Sequence, residues 1–140
     1  MTDHFLVDTN IWSETLKKRP DPDAVTWLRK HEQQLFMSTL TIGEIKSGID
    51  QLPAGKRRHR YQTWLTKLSD RMGGRILSFN KSVATVWGQL LAQWLAKGVK
   101  LPTIDSQIAA TAKRHSLVIA TRNEIDFRRS GVKVVNPFDG

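Results

Sequence analysis

"FLVDTN", residues 5–10, is an apolar run that ends in a carboxylate followed by two small polar residues. Phe5 to Val7 predict a short buried strand, and Asp8 stands where that strand ends. Burying an isolated carboxylate is unfavourable even after the protein relaxes around it. Asp8 therefore needs partners from elsewhere in the chain, and the fold has to bring those partners to the end of this strand.

Further short apolar segments predict strands that alternate with helical patterns. These strands are "LFMS" (35–38), "RILSF" (75–79), "LVIAT" (117–121) and "VKVV" (132–135). Helical stripes occupy the segments between them, as in the run from Ile104 through Ile108 to Ala112. Strands that are apolar throughout and alternate with helices predict the α/β class, with a mostly parallel central sheet covered on both faces. Asp8 and Thr121 would both lie at carboxyl ends of strands, where open parallel sheets form their sites.

Composition narrows the class of protein. A chain of 140 residues fits a single domain, taken here as residues 1–140. The absence of cysteine excludes disulfides, zinc ribbons and thiol nucleophiles. No apolar stretch approaches the roughly 20 residues that span a bilayer, and no leader pattern opens the chain, so we expect a cytoplasmic protein without a membrane segment. The formal net charge of +9 favours polyanions, although acidic protein partners fit it too.

Three further acidic residues stand out by their positions. Asp105 shares a helix face with apolar residues such as Ile108 and Ala112, although it would also suit the first turn of a helix capped by Thr103. Glu44 lies off the apolar stripe of its helix, so periodicity predicts an exposed first-turn glutamate. Asp126 follows a strand end and is predicted to lie in a loop.

If these carboxylates converge with Asp8 at one edge of the sheet, their repulsion must be neutralised. A hard divalent cation with oxygen ligands, such as Mg²⁺, would do this. Such an ion can activate water for displacement at phosphorus, and a basic body around an acidic pocket suits phosphodiester hydrolysis. The residues alone thus indicate a metal-dependent phosphodiesterase.

Four segments match a known family in order along nearly the whole chain. They are "FLVDTNIWSE", "MSTLTIGEIKSGI", "LPTIDSQIAATAKRHSLVIATRNEIDF" and "GVKVVNPF". With these segments the chain resembles the PIN-domain ribonucleases, specifically the small bacterial VapC and FitB type of toxin. The resemblance implies a three-layer α/β/α fold and a Mg²⁺- or Mn²⁺-dependent endoribonuclease that hydrolyses RNA with a metal-activated water.

The resemblance also implies the catalytic residues. Asp8, Glu44 and Asp105 carry over as metal ligands, and Asp126 as a fourth catalytic acid. Some relatives have an aspartate where this chain has Asn123. Three arrangements therefore remain open: Asn123 binds through its carbonyl, Asp126 binds through water, or three carboxylates suffice.

Supporting residues and partners follow from the same resemblance. Asn10 and Thr121 would orient the first aspartate and the attacking water or phosphate, although both would also serve as local caps. The protein would be a homodimer, inhibited by a small antitoxin that occupies the site. It would contact promoter DNA only through the antitoxin complex.

Two other classes of function compete with the nuclease. One is a noncatalytic module of the same fold that binds nucleic acid or an antitoxin. The other is a phosphoacceptor signalling domain, which usually has two adjacent acids after its first strand, whereas this chain has only Asp8 there.

The segment "GKRRHRYQTW" (55–64) either contacts RNA or contributes Tyr61 and Trp64 to an apolar helix stripe beneath solvated charges.

Overall fold

Five parallel strands form the central sheet of the computed structural model, which describes residues 2–139. Met1 and Gly140, which the expected single domain includes, lie outside the described residues. The strands are β1 (Phe5–Val7), β2 (Leu35–Ser38), β3 (Ile76–Leu77), β4 (Val118–Ala120) and β5 (Val134–Val135). Their order is β3-β2-β1-β4-β5, and every neighbouring pair is parallel. The α/β class and the parallel sheet are confirmed.

Helices connect the strands on both faces of the sheet. They are α1 (Thr9–Glu14), α2 (Pro22–Lys30), α3 (Thr39–Asp50), α4 (Lys56–Met72), α5 (Lys81–Ala96), α6 (Thr103–His115) and α7 (Glu124–Arg129). Short 3-10 turns at Glu32–Gln34, Gly73–Arg75 and Pro137–Asp139 complete the regular structure. No helix in the described range is both long and apolar enough to cross a bilayer.

Alternate residues of the strands build a separate core on each face. Phe5 and Val7 point to one side, where they pack with buried side chains of α1 to α4. Leu6 lies between them in sequence and points to the opposite side, where it packs with α5, α6 and α7. This alternation follows from the two-residue period of a strand. The three-layer α/β/α arrangement is therefore confirmed.

The strand order creates a crevice beside β1. The chain proceeds from β1 to β2 and β3 on one side, and then crosses to β4 and β5 on the other. The crevice between the carboxyl ends of β1 and β4 is therefore a topological switch point, where open α/β sheets bind ligands. The backbone N–H of Asp8 donates to the carbonyl of Ala120 at 2.9 Å, which fixes both strand ends at this point.

Three local expectations are corrected by the structure. Asp126 lies in the first turn of α7 and not in a loop. Both α7 and α1 were missed as helices because six residues are too few to show helical periodicity. The segments 75–79 and 132–135 pair over two residues each, because β3 and β5 are the edge strands of the sheet.

Candidate active site

Asp8 lies at the switch point with both carboxylate oxygens hydrogen-bonded. It is the N-cap of α1 and only 6% exposed. Its Oδ1 accepts from the Thr9 backbone N–H at 2.9 Å, and its Oδ2 accepts from Thr121 Oγ1 at 2.8 Å and Asn10 Nδ2 at 3.2 Å. Burial raises the pKa of Asp8; the bonds from Thr121 and Thr9 oppose this shift, and the Glu44 charge adds to it. These are the partners that the buried carboxylate requires.

Asn10 and Thr121 connect α1 to the loop that follows β4. Asn10 Oδ1 accepts the backbone N–H of Arg122 at 3.2 Å, and Thr121 Oγ1 accepts that of Asn123 at 2.9 Å. Both side chains therefore contact Asp8 on one side and the β4 loop on the other. This arrangement fixes the Asp8 carboxylate in one orientation, so the geometry suits the supporting role expected of them.

Glu44 is not an exposed first-turn residue, contrary to the periodicity. Helix α3 begins at Thr39 behind the Ser38 cap, so Glu44 is its sixth residue and is half-buried. The Thr9 hydroxyl donates to Glu44 Oε1 at 2.8 Å. Sequence reasoning missed Thr9, and its only signal was its place directly after Asp8. The bond explains how a glutamate off the apolar stripe is oriented toward the crevice.

Asp105 lies in the first turn of α6 and is half-buried. Pro102 is the N-cap residue and forms no side-chain cap bond, so the alternative in which Thr103 caps the helix is wrong. Burial raises the pKa of Asp105 to about 6, and the charges of Asp8, Glu44 and Asp126 contribute in that order. Electrostatic coupling thus joins the four candidate acids, which are far apart in sequence.

Asn123 stands between two of these acids. Its Nδ2 lies 3.4 Å from Asp105 Oδ2 and 3.2 Å from Asp126 Oδ2, so its amide donates to both carboxylates. Arg129 lies on the far side of Asp126, with 3.8 Å between its Nη1 and Asp126 Oδ1. Asn123 therefore reduces the repulsion between Asp105 and Asp126 without carrying a charge itself.

The crevice has more negative charge than the protein neutralises. Within residues 2–139, no lysine or arginine forms an ion pair with Asp8, Glu44 or Asp105. In the same part of the chain, no three acidic or histidine side chains already stand in the geometry of a metal site. The donor set nevertheless fits a hard divalent cation, because its ligands are carboxylate and amide oxygens and because Mg²⁺ keeps several waters in place of protein ligands.

Comparisons with known proteins cover nearly the whole chain. The PIN domain family model matches residues 5–133, a range that includes every candidate site residue. The VapC ribonuclease Y4jK of Sinorhizobium fredii is 32% identical over 137 residues, which are 96% of this chain and 98% of that protein. The crystal structure of FitAcB from Neisseria gonorrhoeae has a TM-score of 0.89 and 34% identity, covering 96% of this chain and 98% of that one. A toxin-antitoxin complex from Klebsiella pneumoniae has a TM-score of 0.69 and 28% identity, covering 94% and 96%.

Proposed function

Because the chain belongs to the PIN domain family, we propose that it is a metal-dependent endoribonuclease and the toxin of a toxin-antitoxin pair. One observation carries the proposal: carboxylates without cationic partners converge at the switch point of a protein whose net charge is +9. The basic surface attracts the RNA backbone. The acidic crevice would bind a divalent cation, and that cation would in turn bind the phosphate. The ribonuclease name of the relative from Sinorhizobium fredii supports this activity.

Asp8, Glu44 and Asp105 would hold the ion, which we propose to be Mg²⁺ or Mn²⁺. When bound, such an ion lowers the pKa of water and stabilises the charge that develops in displacement at phosphorus. Thr121 and Asn10 hold Asp8 Oδ2, and the Thr9 backbone N–H holds Oδ1, so both carboxylate oxygens are fixed before the ion binds. Preorganised ligands of this kind bind a cation at a smaller cost in entropy than mobile ones.

The remaining side chains act on these ligands. Thr9 orients Glu44 through its hydroxyl, and Asn123 bridges Asp105 and Asp126 as a shared donor that reduces their repulsion. Asp126 is the fourth acid of the proposed catalytic set. It lies beside Arg129, an exposed cation that would be available to a phosphodiester bound at Asp126. Three alternatives for the fourth ligand stay open: the Asn123 carbonyl after a rotation of its amide, a water held by Asp126, or no fourth protein ligand beyond the three carboxylates.

The proposal extends to partners and location. The Klebsiella pneumoniae structure is a toxin-antitoxin complex of the same fold, which supports an antitoxin partner for this chain. We propose that this antitoxin is small and occupies the crevice. We propose that the toxin is a homodimer, that residues 1–140 act as one PIN domain, and that promoter DNA is contacted only through the antitoxin complex. We also propose that the protein acts in the cytoplasm, where its RNA substrate is found.

The decisive experiment is cleavage of total cellular RNA by the purified, antitoxin-free protein. We expect cuts in Mg²⁺ or Mn²⁺ that disappear in EDTA and in both Asp8→Asn and Glu44→Gln, because each variant removes one charged ligand. Circular dichroism should show that the variants keep the fold, since asparagine and glutamine are close in shape to the residues they replace. Absence of cleavage by a folded, metal-bound wild-type protein would contradict the proposal and favour the noncatalytic binding module.

A further inference from the structure

Arg122 directly follows Thr121 at the carboxyl end of β4. Its backbone N–H donates to Asn10 Oδ1 at 3.2 Å, and Asn10 Nδ2 donates in turn to Asp8 Oδ2 at 3.2 Å. The backbone of Arg122 is therefore joined to the proposed metal site through a single intervening side chain. The Arg122 side chain itself is exposed, so its charge is accessible to a ligand that approaches this edge of the sheet.

An aromatic ring holds the guanidinium of Arg122 in place. The guanidinium carbon lies 4.4 Å from the centroid of the Phe138 ring, which packs against the core beneath it. The Phe138 backbone N–H donates to Asn136 Oδ1 at 2.9 Å, and Asn136 Nδ2 donates to Glu124 Oε2 at 3.0 Å, so the ring is fixed to α7. A guanidinium that stacks on a ring still has its N–H groups free in its own plane. The stack thus orients the cation without using its donors.

The charge of Arg122 is not neutralised by a carboxylate of its own. Arg128 and Arg129 of α7 pair with acidic residues of their own helix at 2.9 and 3.8 Å, whereas Arg122 forms no ion pair within residues 2–139. A hydrogen bond from Lys17 lowers the pKa of Glu14, and the Arg122 charge adds to this shift, but Lys17 is the cation that pairs with Glu14, at 2.8 Å. An anionic ligand can therefore bind Arg122 without breaking an ion pair.

We propose that Arg122 binds the RNA phosphate next to the scissile one, an inference that rests on the proposed function. The scissile phosphate would lie at the ion held by Asp8, and Arg122 is joined to Asp8 through Asn10, so the adjacent phosphate of the same strand comes within its reach. A planar guanidinium donates two parallel hydrogen bonds to phosphate oxygens, which the ammonium group of lysine cannot do. Arg122 is thus a substrate-binding residue that sets the position of the strand relative to the metal site.

The test removes the charge and the plane of the guanidinium separately. Arg122→Gln removes both, and Arg122→Lys keeps the charge alone. Arg29→Gln is the matched control, because Arg29 is also exposed and lies in the last turn of α2, at the opposite edge of the sheet where the strands begin. Binding of a short single-stranded RNA is measured by fluorescence anisotropy in Mg²⁺ at several salt concentrations, in an Asp8→Asn background that prevents cleavage. KM and kcat are measured with Asp8 intact, and urea unfolding in EDTA reports the stability of each variant.

We expect Arg122→Gln to weaken RNA binding by about tenfold, the range of a hydrogen bond to a charged group, and to raise KM while kcat stays within about twofold. The slope of log binding constant against log salt should fall by about 0.7, which corresponds to one phosphate contact. Arg122→Lys should keep the slope and recover only part of the affinity. Phe138→Leu, which removes the stacked ring, should keep the slope and weaken binding by about threefold. Arg29→Gln should match wild type in all readouts.

Two results would overturn the inference while the wild type cleaves RNA. One is a wild-type slope and KM in Arg122→Gln, which would show that this side chain does not contact the strand. The other is a loss of stability in Arg122→Gln with an unchanged slope, which would show that Arg122 only ties the β4 end to Phe138. If the wild type neither cleaves nor binds RNA, the proposed function fails together with the inference.

Discussion

Asp105→Asn should stabilise the metal-free protein while abolishing its proposed activity. The pKa of Asp105 rises from 3.8 to about 6 on folding because of burial and the neighbouring carboxylates. A group whose pKa is raised by folding favours the folded state below its unfolded pKa, and this contribution is lost as the pH rises through the folded pKa. A shift of about 2 pKa units corresponds to about 3 kcal/mol, and solvent screening of the half-buried group reduces this to roughly 1–2 kcal/mol.

The assay is urea unfolding followed by tryptophan fluorescence, in EDTA, at pH 4 and at pH 8. At pH 8 the variant should be more stable than wild type by roughly 1–2 kcal/mol, and at pH 4 the two should nearly coincide. Mg²⁺ should stabilise wild type and leave the variant almost unchanged, because ligands stabilise only the state that binds them. Asp70→Asn, at an exposed position of α4, is the control and should stay within about 0.5 kcal/mol of wild type. A metal-free Asp105→Asn protein that is less stable than wild type at pH 8 would refute the electrostatic reasoning.

Three further predictions concern the oriented ligands and the RNA surface. Thr9→Val should lower kcat by about tenfold, because it removes the hydrogen bond to Glu44. Thr9→Ser keeps the hydroxyl and should keep wild-type activity. Equal losses of activity in both variants would contradict the role of the hydroxyl. Asn123→Asp adds a carboxylate between two others, so it should destabilise the metal-free protein. The same change should lower the Mg²⁺ concentration needed for half-maximal thermal stabilisation. An unchanged response to Mg²⁺ would show that residue 123 does not contact the ion. Replacing Arg57 and Arg60 together by glutamine should reduce the slope of log binding constant against log salt by about 1.4, at roughly 0.7 per phosphate contact. The control Lys97→Gln, at the residue that follows α5, should leave the slope unchanged. A slope equal to that of wild type would show that neither arginine touches RNA.

Sequence patterns singled out two of the candidate acids, Asp8 and Asp105, but not Glu44. Asp8 was detectable because a carboxylate after a buried strand conflicts with burial, and Asp105 because it shares a face with apolar residues. Glu44 had no such signal, since its orientation depends on the Thr9 hydroxyl, a contact across 35 positions of the chain. Local periodicity cannot register a contact of that kind.

The short elements were unpredictable for a different reason. Asn123 is of a residue type that favours a helix start, but α7 is only six residues long, which is too short for helical periodicity to appear. Asp126 therefore read as a loop residue.

The bond between Thr121 Oγ1 and Asp8 Oδ2 joins residues separated by 113 positions. Residues 8 to 44 and residues 105 to 126 each carry only part of the acidic set. A growing polypeptide on the ribosome therefore lacks the complete arrangement until β4 has emerged and paired with β1. The proposed toxin would therefore be inactive for most of its own synthesis, and the proposed antitoxin would be needed only when nearly all of the 140 residues have been translated.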